Sequence, residues 1–377
     1  MRVVRRPRGA SIPLGRYTLM RNYETTMSDT AASALAKRVA DDMATYDDPA
    51  IQRVVLGVVE PAAIAASFVN WVQQHLGIPA VDCWLWAVSV GCVAGFDLAD
   101  GSKVVVKAYA HDRTKAALLS MQDVQRAALR MGLPVPEPLT GPEPLGASLA
   151  TADAALLDGR HPDLRNPSDG IAAAKGFVEF TEALRGVPHE VAAKRPPSAR
   201  SVPALYPVPH SPLFDFDAAA RGAEWIDGLA HEAKAEIDRL DTEVLLAHMD
   251  WRGENLRVSA GGDRVVGVYD CDAIRREREA VAVGEVAASH TIDWSDPLGP
   301  YFASGSECIE FARTIETARW RPFSNAEWSV IRAGIVYAWC YTSRCEHARA
   351  VSGHDKPQFQ MRARLAAEGR EILDGVI

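Results

Sequence analysis

The chain has 377 residues, of which 48% are hydrophobic and 24% are charged, and its formal net charge is −8. These values are typical of an ordinary globular protein long enough for two lobes, and the negative charge gives no general affinity for nucleic acid or an anionic membrane. No run of about 18 apolar residues predicts a membrane span, and six Cys in a chain of this size do not form a disulfide framework. We therefore expect a cytoplasmic protein.

Residues 1–26 differ in charge from the rest of the sequence. They contain six Arg against one acidic residue, Glu24. They lack the apolar core of a secretory signal. We expect a disordered basic tail or an over-extended start of the sequence upstream of Met27, with a targeting tail as the alternative.

Helices precede strands in the first half of the chain. Helical periodicity predicts helices over 33–46 and 64–76, and alternation between residues 84 and 110 predicts three strands, WLWAVSV, VAGFDLAD and KVVVKAYA. Asp100-Gly101 is a hairpin signal between the second and third strands. Lys107 follows the apolar run of the third strand, a position at which Lys usually extends its ammonium to a polar edge.

The middle of the chain predicts a helix over 114–131, a strand over 147–157 and further helices over 171–185 and 217–239. The loop LDGRHPDLRNPSDG, which begins at Leu157, is the natural boundary between lobes. Residues 186–214 contain seven Pro and little periodicity. A loop of this length either folds over a substrate site or is a decorated connection.

The segment 244–272 carries the strongest chemical signal. Two short apolar runs each end in acids, the first at Asp250 and the second at Asp270, and Asn255 lies between them. Two carboxylates and an amide brought together at strand ends suit hydroxyl activation beside hydrated Mg²⁺. The alternative is an ordinary strand–loop–strand with surface acids and a capping Asn.

The spacing of these residues is more specific than their types. His248, Asp250 and Asn255 reproduce the pattern H-x-D-x-x-x-x-N of kinase catalytic loops. Fifteen residues after Asn255, Tyr269-Asp270-Cys271-Asp272 ends the next strand in D-x-D. In these motifs the chain resembles the aminoglycoside phosphotransferase and choline kinase-like group, and the resemblance extends over about residues 84–350.

The resemblance implies a nucleotide site in the first lobe. Lys107 stands where the kinase-like fold places the lysine that pairs with nucleotide α- and β-phosphates. Gly91 and Gly95 are the candidates for the turn over the phosphates. Asp123, on the helix 114–131, is the acid expected to orient Lys107, and backbone groups near Leu157 would hydrogen-bond the adenine.

It also implies roles for the acids and the amide of the motif. Asp250 would orient the acceptor hydroxyl and take its proton, and His248 would brace the loop, with an acid–base role as its alternative. Asn255 and Asp270 would hold Mg²⁺. Asp272 would complete the metal shell or face solvent.

After residue 272 the periodicity predicts helices over 277–290, 307–319, 326–348 and 357–373. The expected fold is α+β and bilobal, protein-kinase-like, with an antiparallel sheet in an N-terminal nucleotide-binding lobe (27–158) and a mainly helical C-terminal catalytic and substrate lobe (159–377). The acids Glu224, Asp227, Asp293 and Asp296 are candidates for lining an acceptor pocket.

We therefore expect a transferase that uses ATP or GTP with Mg²⁺ to phosphorylate a hydroxyl of a small molecule similar to an aminoglycoside, choline or a sugar. No nucleic-acid or membrane partner is expected. The alternative is a non-catalytic nucleotide- or ligand-binding protein with a kinase-like fold. Such a binder has no need of Asp250.

Overall fold

The computed structural model describes residues 29–44, 49–110, 113–196, 204–209, 211, 214–294, 299–355 and 358–377. By its internal contacts the chain divides into two compact units. Unit 1 takes in Met1–His111 and Glu143–Ala154, and unit 2 takes in Asp112–Pro142 and Ala155–Ile377. The expected tail, residues 1–26, lies outside the described residues. The lobe boundary at residue 158 stays a prediction.

Unit 1 consists of helices packed on an antiparallel sheet. Its helices are α1 (29–44), α2 (Ala50–Leu56) and α3 (Pro61–Leu76). Its strands are β1 (Ala80–Val88), β2 (Cys92–Leu98), β3 (Lys103–Ala108), β4 (Glu143–Leu145) and β5 (Ser148–Ala154), in the order β1-β2-β3-β5-β4. Apolar side chains of the three helices and one face of the sheet form a single buried core.

Strand β3 shows why Lys107 is not part of that core. Val104, Val106 and Ala108 are buried against the helices, whereas Val105 and Lys107 alternate with them and are only half-buried. The predicted hairpin before β3 is present: Gly101 has φ of 87°, and the Leu98 N–H donates to the Ser102 carbonyl (2.8 Å).

One stretch of the described chain, Ala50–Leu76, is long and apolar enough by composition to cross a membrane. The structure divides it into α2 and α3, because Gly57 adopts φ of 74° and Pro61 begins the next helix. Ile64 and Phe68 of α3 lie fully buried in the core of unit 1. Composition alone is therefore weak evidence for a membrane span here.

Unit 2 is mainly helical. Its helices are α4 (Lys115–Arg130), α5 (Pro167–Leu184), α6 (His189–Ala192), α7 (Glu224–Asp238), α8 (Glu279–Ser289), α9 (Gly305–Ala318), α10 (Asn325–Val351) and α11 (Met361–Leu373). Two antiparallel strand pairs accompany them, β6 (Val244–His248) with β9 (Ile274–Arg278) and β7 (Leu256–Val258) with β8 (Val265–Val268). Helix α10 is central and packs against α7, α8 and α11.

Three expected helices begin later than the sequence predicts, and one of them, expected from residue 357, begins at Met361. The helix expected from residue 277 begins at Glu279, because Ile274–Arg278 is strand β9, paired with β6. The helix expected from residue 217 begins at Glu224, because Gly222 adopts φ of 87°, which right-handed helix cannot continue through.

Candidate active site

His248 ends β6 and holds the following loop against the end of β8. Its Nδ1 accepts the Asp250 N–H (3.3 Å), and its Nε2 therefore carries the proton that it donates to the Tyr269 carbonyl (2.8 Å). The ring is fully buried, and this burial lowers the pKa of His248. A neutral imidazole with both nitrogens engaged suits a bracing residue; an acid–base role for His248 stays a prediction.

Asn255 is bonded directly to Asp250. Its Nδ2 donates to the Asp250 carboxylate Oδ2 (2.8 Å) and to the Asp250 carbonyl (2.8 Å), while its own side chain is buried. Both amide protons are thus used to hold Asp250. The amide oxygen, Oδ1, is the atom that Asn255 could offer a cation.

Asp270 follows β8 in the left-handed backbone conformation, which is uncommon for residues other than glycine. It has φ of 57° and ψ of 48°, and it alone among the described non-glycine residues has positive φ. The preceding residue, Tyr269, donates its N–H to the Asn255 carbonyl (2.8 Å). This bond and the His248 contact bring the ends of β6 and β8 together. Strained conformations of this kind concentrate at functional sites.

Arg252 and Glu254 complete the loop, and the motif does not predict them. The Nη2 atom of Arg252 lies 3.3 Å from Asp250 Oδ2. The Nε atom of Arg252 lies 3.0 Å from Glu254 Oε2, but the angle between the two groups is not that of a hydrogen bond. The backbone N–H of Trp294 donates to Glu254 Oε1 (3.0 Å). Burial raises the pKa of Glu254 to about 7, with Arg252 opposing the shift and Asp293 reinforcing it.

Trp251 anchors the loop to α5. Its ring is fully buried between Phe177 (centroids 5.6 Å apart) and Phe180 (5.4 Å), and its Nε1–H donates to the Ala173 carbonyl (3.0 Å). The apolar character of Trp251 is the only sequence signal for this contact. Residues 248–255, which we call the catalytic-type loop, are therefore held by packing against helix α5 as well as by their own strands.

Asp272 does not face solvent. Its side chain is 9% exposed and lies 3.5 Å from Arg113, measured from Oδ2 to Nη2. Its carbonyl accepts a hydrogen bond from the buried Arg195 (3.0 Å).

The residues that suit a divalent cation are Asn255 and Asp270. The Asn255 amide oxygen and the Asp270 carboxylate are the hard oxygen donors that Mg²⁺ prefers. Within the described ranges, no three His, Cys, Asp or Glu side chains form a group that could hold a metal ion. A magnesium ion here would thus depend on few protein ligands, as usual when phosphates supply the rest.

The expected nucleotide residues of unit 1 lie in strands β2 and β3 and in the turn that precedes β2. Lys107 is in β3 opposite Thr151 of β5, and its ammonium lies 5.3 Å from the centroid of the Tyr109 ring. Gly91 is in the turn between β1 and β2, where a Cβ would lie 2.4 Å from the Ala108 carbonyl oxygen. Gly95, however, is in the middle of β2, so its expected place in the turn is wrong.

The two expected nucleotide residues of unit 2 are engaged within that unit. Asp123 on α4 is 42% exposed and lies 3.8 Å from Arg126. The Leu157 carbonyl accepts a hydrogen bond from Arg257 (2.8 Å), which also binds the carbonyls of Asp158 and Gly159. Their roles toward a nucleotide stay predictions.

The candidate acceptor acids do not form one group. Asp227 accepts hydrogen bonds from Tyr206 (3.0 Å) and lies 3.0 Å from Arg344, while Glu224 accepts the Gly222 N–H (2.8 Å). Asp293 lies beside Glu254. Asp296 lies outside the described residues.

The chain shares its fold with solved structures of small-molecule kinases. An amicoumacin kinase in complex with AMP-PNP and Ca²⁺ matches with a TM-score of 0.55 and 12% identity, over 78% of this chain and 88% of that one. An ethanolamine kinase from Plasmodium vivax matches with a TM-score of 0.52 and 10% identity, over 91% and 97%. A thermostable mutant of aminoglycoside phosphotransferase APH(4)-Ia, with ADP and hygromycin B, matches with a TM-score of 0.51 and 14% identity, over 82% and 98%.

These similarities define the class of the fold. It is the bilobal, kinase-like α+β fold of the aminoglycoside phosphotransferase and choline kinase-like group, and the resemblance read from the sequence is confirmed at this level. No protein-family model matches the chain, and comparison with curated proteins finds no relative.

Proposed function

We propose that the chain is a small-molecule kinase, which transfers the γ-phosphoryl group of ATP to a hydroxyl of its acceptor. The observation that carries this proposal is the bond from the Asn255 amide to the Asp250 carboxylate, at the end of a strand and next to Asp270. A carboxylate oriented by an amide and an arginine suits a proton acceptor. The kinase-like fold supports the same reading, since its solved members include nucleotide complexes.

In the proposed reaction Asp250 receives the proton of the acceptor hydroxyl. The hydroxyl oxygen forms a bond to the γ-phosphorus, the bond from that phosphorus to the bridging β–γ oxygen breaks, and ADP leaves with the electron pair. Asn255 fixes the orientation of the Asp250 carboxylate through both of its amide protons. Positioning of this kind supplies much of the rate in phosphoryl transfer.

Charge neutralisation is the second requirement of phosphoryl transfer. Asn255 and Asp270 would hold a magnesium ion, which when bound neutralises the charge of the nucleotide phosphates. In unit 1, Lys107 would contribute a charge-assisted hydrogen bond to nucleotide phosphates. It lies on the half-buried face of β3, with its ammonium 5.3 Å from the centroid of the Tyr109 ring.

A cavity of about 480 Å³ in unit 2 is our candidate for the acceptor pocket. Trp225, Phe359 and Glu346 are among its lining residues. The Phe359 ring lies 5.5 Å from that of Trp294, whose N–H is bonded to Glu254 of the catalytic-type loop. The Glu346 carboxylate is paired with Arg362, which also lines the cavity, so the aromatic side chains are the groups that suit packing against the acceptor. Ala substitution of Phe359 should therefore raise the acceptor KM more than it changes kcat.

The experiment that tests the function compares Asp250→Asn with Asp270→Asn. Asp250→Asn should bind Mg·ATP like the wild type, yet its turnover should fall by about 10²–10⁴-fold, the usual contribution of a positioned general base. Asp270→Asn should lose Mg²⁺-dependent ATP affinity as well as turnover. Asn tolerates the left-handed backbone of residue 270, so this variant should fold.

Both variants are compared by nucleotide titration with and without Mg²⁺ and by turnover on a pooled set of hydroxyl metabolites and aminoglycosides. Wild-type turnover in Asp250→Asn would contradict the proposal. So would normal Mg·ATP binding by Asp270→Asn. A wild-type chain that binds Mg·ATP but phosphorylates no hydroxyl compound would favour the non-catalytic binder.

A further inference from the structure

Three arginines from separate elements of unit 2 surround Asp272. Arg113 precedes α4, Arg195 follows α6, and Arg275 is in β9. We call these three residues the arginine cluster. The motif H-x-D-x-x-x-x-N and the D-x-D ending account for none of them.

Arg195 is the fixed centre of the cluster. It is 2% exposed, and its guanidinium donates to the carbonyls of Asp272 (3.0 Å) and Ile274 (2.9 Å). In return its own carbonyl accepts the Arg276 guanidinium (2.8 Å). Arg195, which lies in the segment 186–214, is thus bonded to the last residue of the D-x-D motif and to the first residue of β9.

Arg113 and Arg275 are the more accessible members. Arg113 is 28% exposed and touches the Asp272 carboxylate at 3.5 Å. Arg275 is half-buried, and both Asp272 and Asp270 lie close enough to favour its charged form. The cluster therefore adjoins the carboxylate that we assign to magnesium.

Among the residues that the structure describes, the three guanidiniums of the cluster have two neighbouring carboxylates, Asp272 and Asp270. Burial, together with the neighbouring guanidiniums, lowers the pKa of Arg195 to about 10 and also lowers the pKa of Arg275. Asp272 is the nearest counter-ion, and Asp270 would be occupied by magnesium when the metal is bound. Like charges packed together at low solvent exposure call for a further anion.

We propose that Arg113 and Arg275, the accessible members of the cluster, bind phosphoryl oxygens of a polyphosphate anion beside Asp270. Arg195 holds the backbone of this site in place, and Asp272 is the counter-ion of the cluster instead of a metal ligand. We take the anion to be the triphosphate of the nucleotide, and this part of the inference rests on the proposed function. Guanidinium groups present paired N–H donors that match phosphate oxygens. The cluster would then supply, from fixed side chains, charge neutralisation that a second metal ion supplies in protein kinases.

The anion site is tested first without metal and without catalysis, by calorimetric titration of the full chain with tripolyphosphate in the presence of a chelator. Arg275→Gln should weaken binding about tenfold, the effect of one charge-assisted contact. Arg264→Gln is the matched control, because Arg264 is an exposed arginine of the same unit outside the cluster. Equal affinities for wild type and Arg275→Gln, or equal losses in both variants, would overturn the anion site.

The source of the anion is distinguished by titrating ATP, AMP and inorganic phosphate in the same buffer. An Arg275-dependent preference for ATP over AMP supports the β- and γ-phosphates of a nucleotide. Arg275-dependent binding of inorganic phosphate with no such preference supports the anion site but assigns it to the phosphate carried by the acceptor or product. Arg275-independent binding of all three ligands would overturn the site.

The role of Asp272 is tested with Mn²⁺ and AMP-PNP, by counting bound Mn²⁺ from its electron paramagnetic resonance signal. The wild type should bind one ion per chain. Asp272→Asn should keep Mn²⁺ affinity within about twofold and bind metal-free tripolyphosphate at least as tightly as wild type, because a competing anion is removed. Asp270→Asn should lose the ion.

An equal loss of Mn²⁺ in Asp272→Asn and Asp270→Asn would overturn the counter-ion role. If Asp272→Asn does not fold, the wild-type count decides, since two ions per chain would require further metal ligands and would overturn the proposal. None of these readouts needs turnover. Arg275-dependent anion binding by a chain that phosphorylates nothing would disprove the proposed function while leaving the anion site intact.

Discussion

At the residue scale, the support beneath the catalytic-type loop is as important as its carboxylates. Trp251 links the loop to α5 through ring packing and the bond to the Ala173 carbonyl. Trp251→Ala should lower the free energy of unfolding by about 3–5 kcal/mol, because a large cavity replaces a fully buried ring. Trp251→Phe should cost only about 1 kcal/mol for the lost hydrogen bond, plus a smaller void.

Chemical denaturation of the wild type and both variants measures this difference. Trp225→Ala is a suitable control, since Trp225 is 45% exposed on α7. Equal midpoints for Trp251→Ala and Trp225→Ala would show that the loop does not depend on α5. Turnover of Trp251→Phe near the wild-type level is expected, because the loop remains on its helix.

The same residue scale shows what spacing can and cannot reveal. The separation of Asp250 and Asn255 predicts their role because a short loop constrains both side chains, and the structure bonds them. Arg252 and Glu254 occupy the unspecified positions of that motif, so their contacts depend on packing that spacing does not encode. The arginine cluster is hidden for a further reason, since Arg113 and Arg275 are 162 positions apart in the chain.

At the element scale, the junction of α8 and α9 should make stability depend on pH. His290 ends α8, stacks on Phe311 of α9 (centroids 4.1 Å apart) and donates from Nδ1 to the Ala287 carbonyl (2.8 Å). Burial lowers the pKa of His290 to about 4, against the opposing effects of the bond to the Ala287 carbonyl and of Glu307. Its pKa in the unfolded chain is about 6.5.

Because the unfolded chain binds the His290 proton more tightly, stability from this group is complete above pH 6.5 and is lost as the pH falls toward 4. The loss at pH 5 should be about 2 kcal/mol relative to pH 8. His290→Asn keeps a donor for the Ala287 carbonyl but does not titrate. Its unfolding midpoint should therefore change less between pH 8 and pH 5 than that of wild type; equal changes would contradict this assignment.

The predictability of elements follows the clarity of their periodicity. Helix α4 has an apolar and a polar face over several turns, and it lies where the sequence predicts it. Helix α10 is also found where the sequence predicts it, although nearly all of its residues between Val330 and Cys340 are buried. Strand β9 reads IRRER, and only Ile274 and Glu277 of it are buried. A run of charged residues gives no sign of a strand in the sequence. The conformation of β9 is set by its pairing with β6, because β9 has no apolar alternation of its own.

At the scale of the whole molecule, the residues predicted from the sequence are distributed over the two units. Lys107 belongs to unit 1, whereas Asp250, Asn255 and Asp270 belong to unit 2. The sequence predicts the class of fold because each unit has its own pattern, helices followed by strands in the first and mainly helices in the second. It does not predict that residues 113–142, with α4, belong to the second unit, because that depends on which surface α4 packs against.

Lys107→Ala tests the contribution of unit 1 to nucleotide binding. Loss of one charge-assisted phosphate contact should weaken ATP binding by roughly ten- to a hundredfold, or about 1.5–3 kcal/mol. The melting temperature should change little, because Lys107 is on the half-buried face of β3 and not in the core. Lys103→Ala is the matched control: it removes the same charge from the same strand, where Lys103 pairs with Asp97. Should the two variants bind ATP equally well, Lys107 would have no role in holding phosphates, and the nucleotide would have to be held without the lysine of β3.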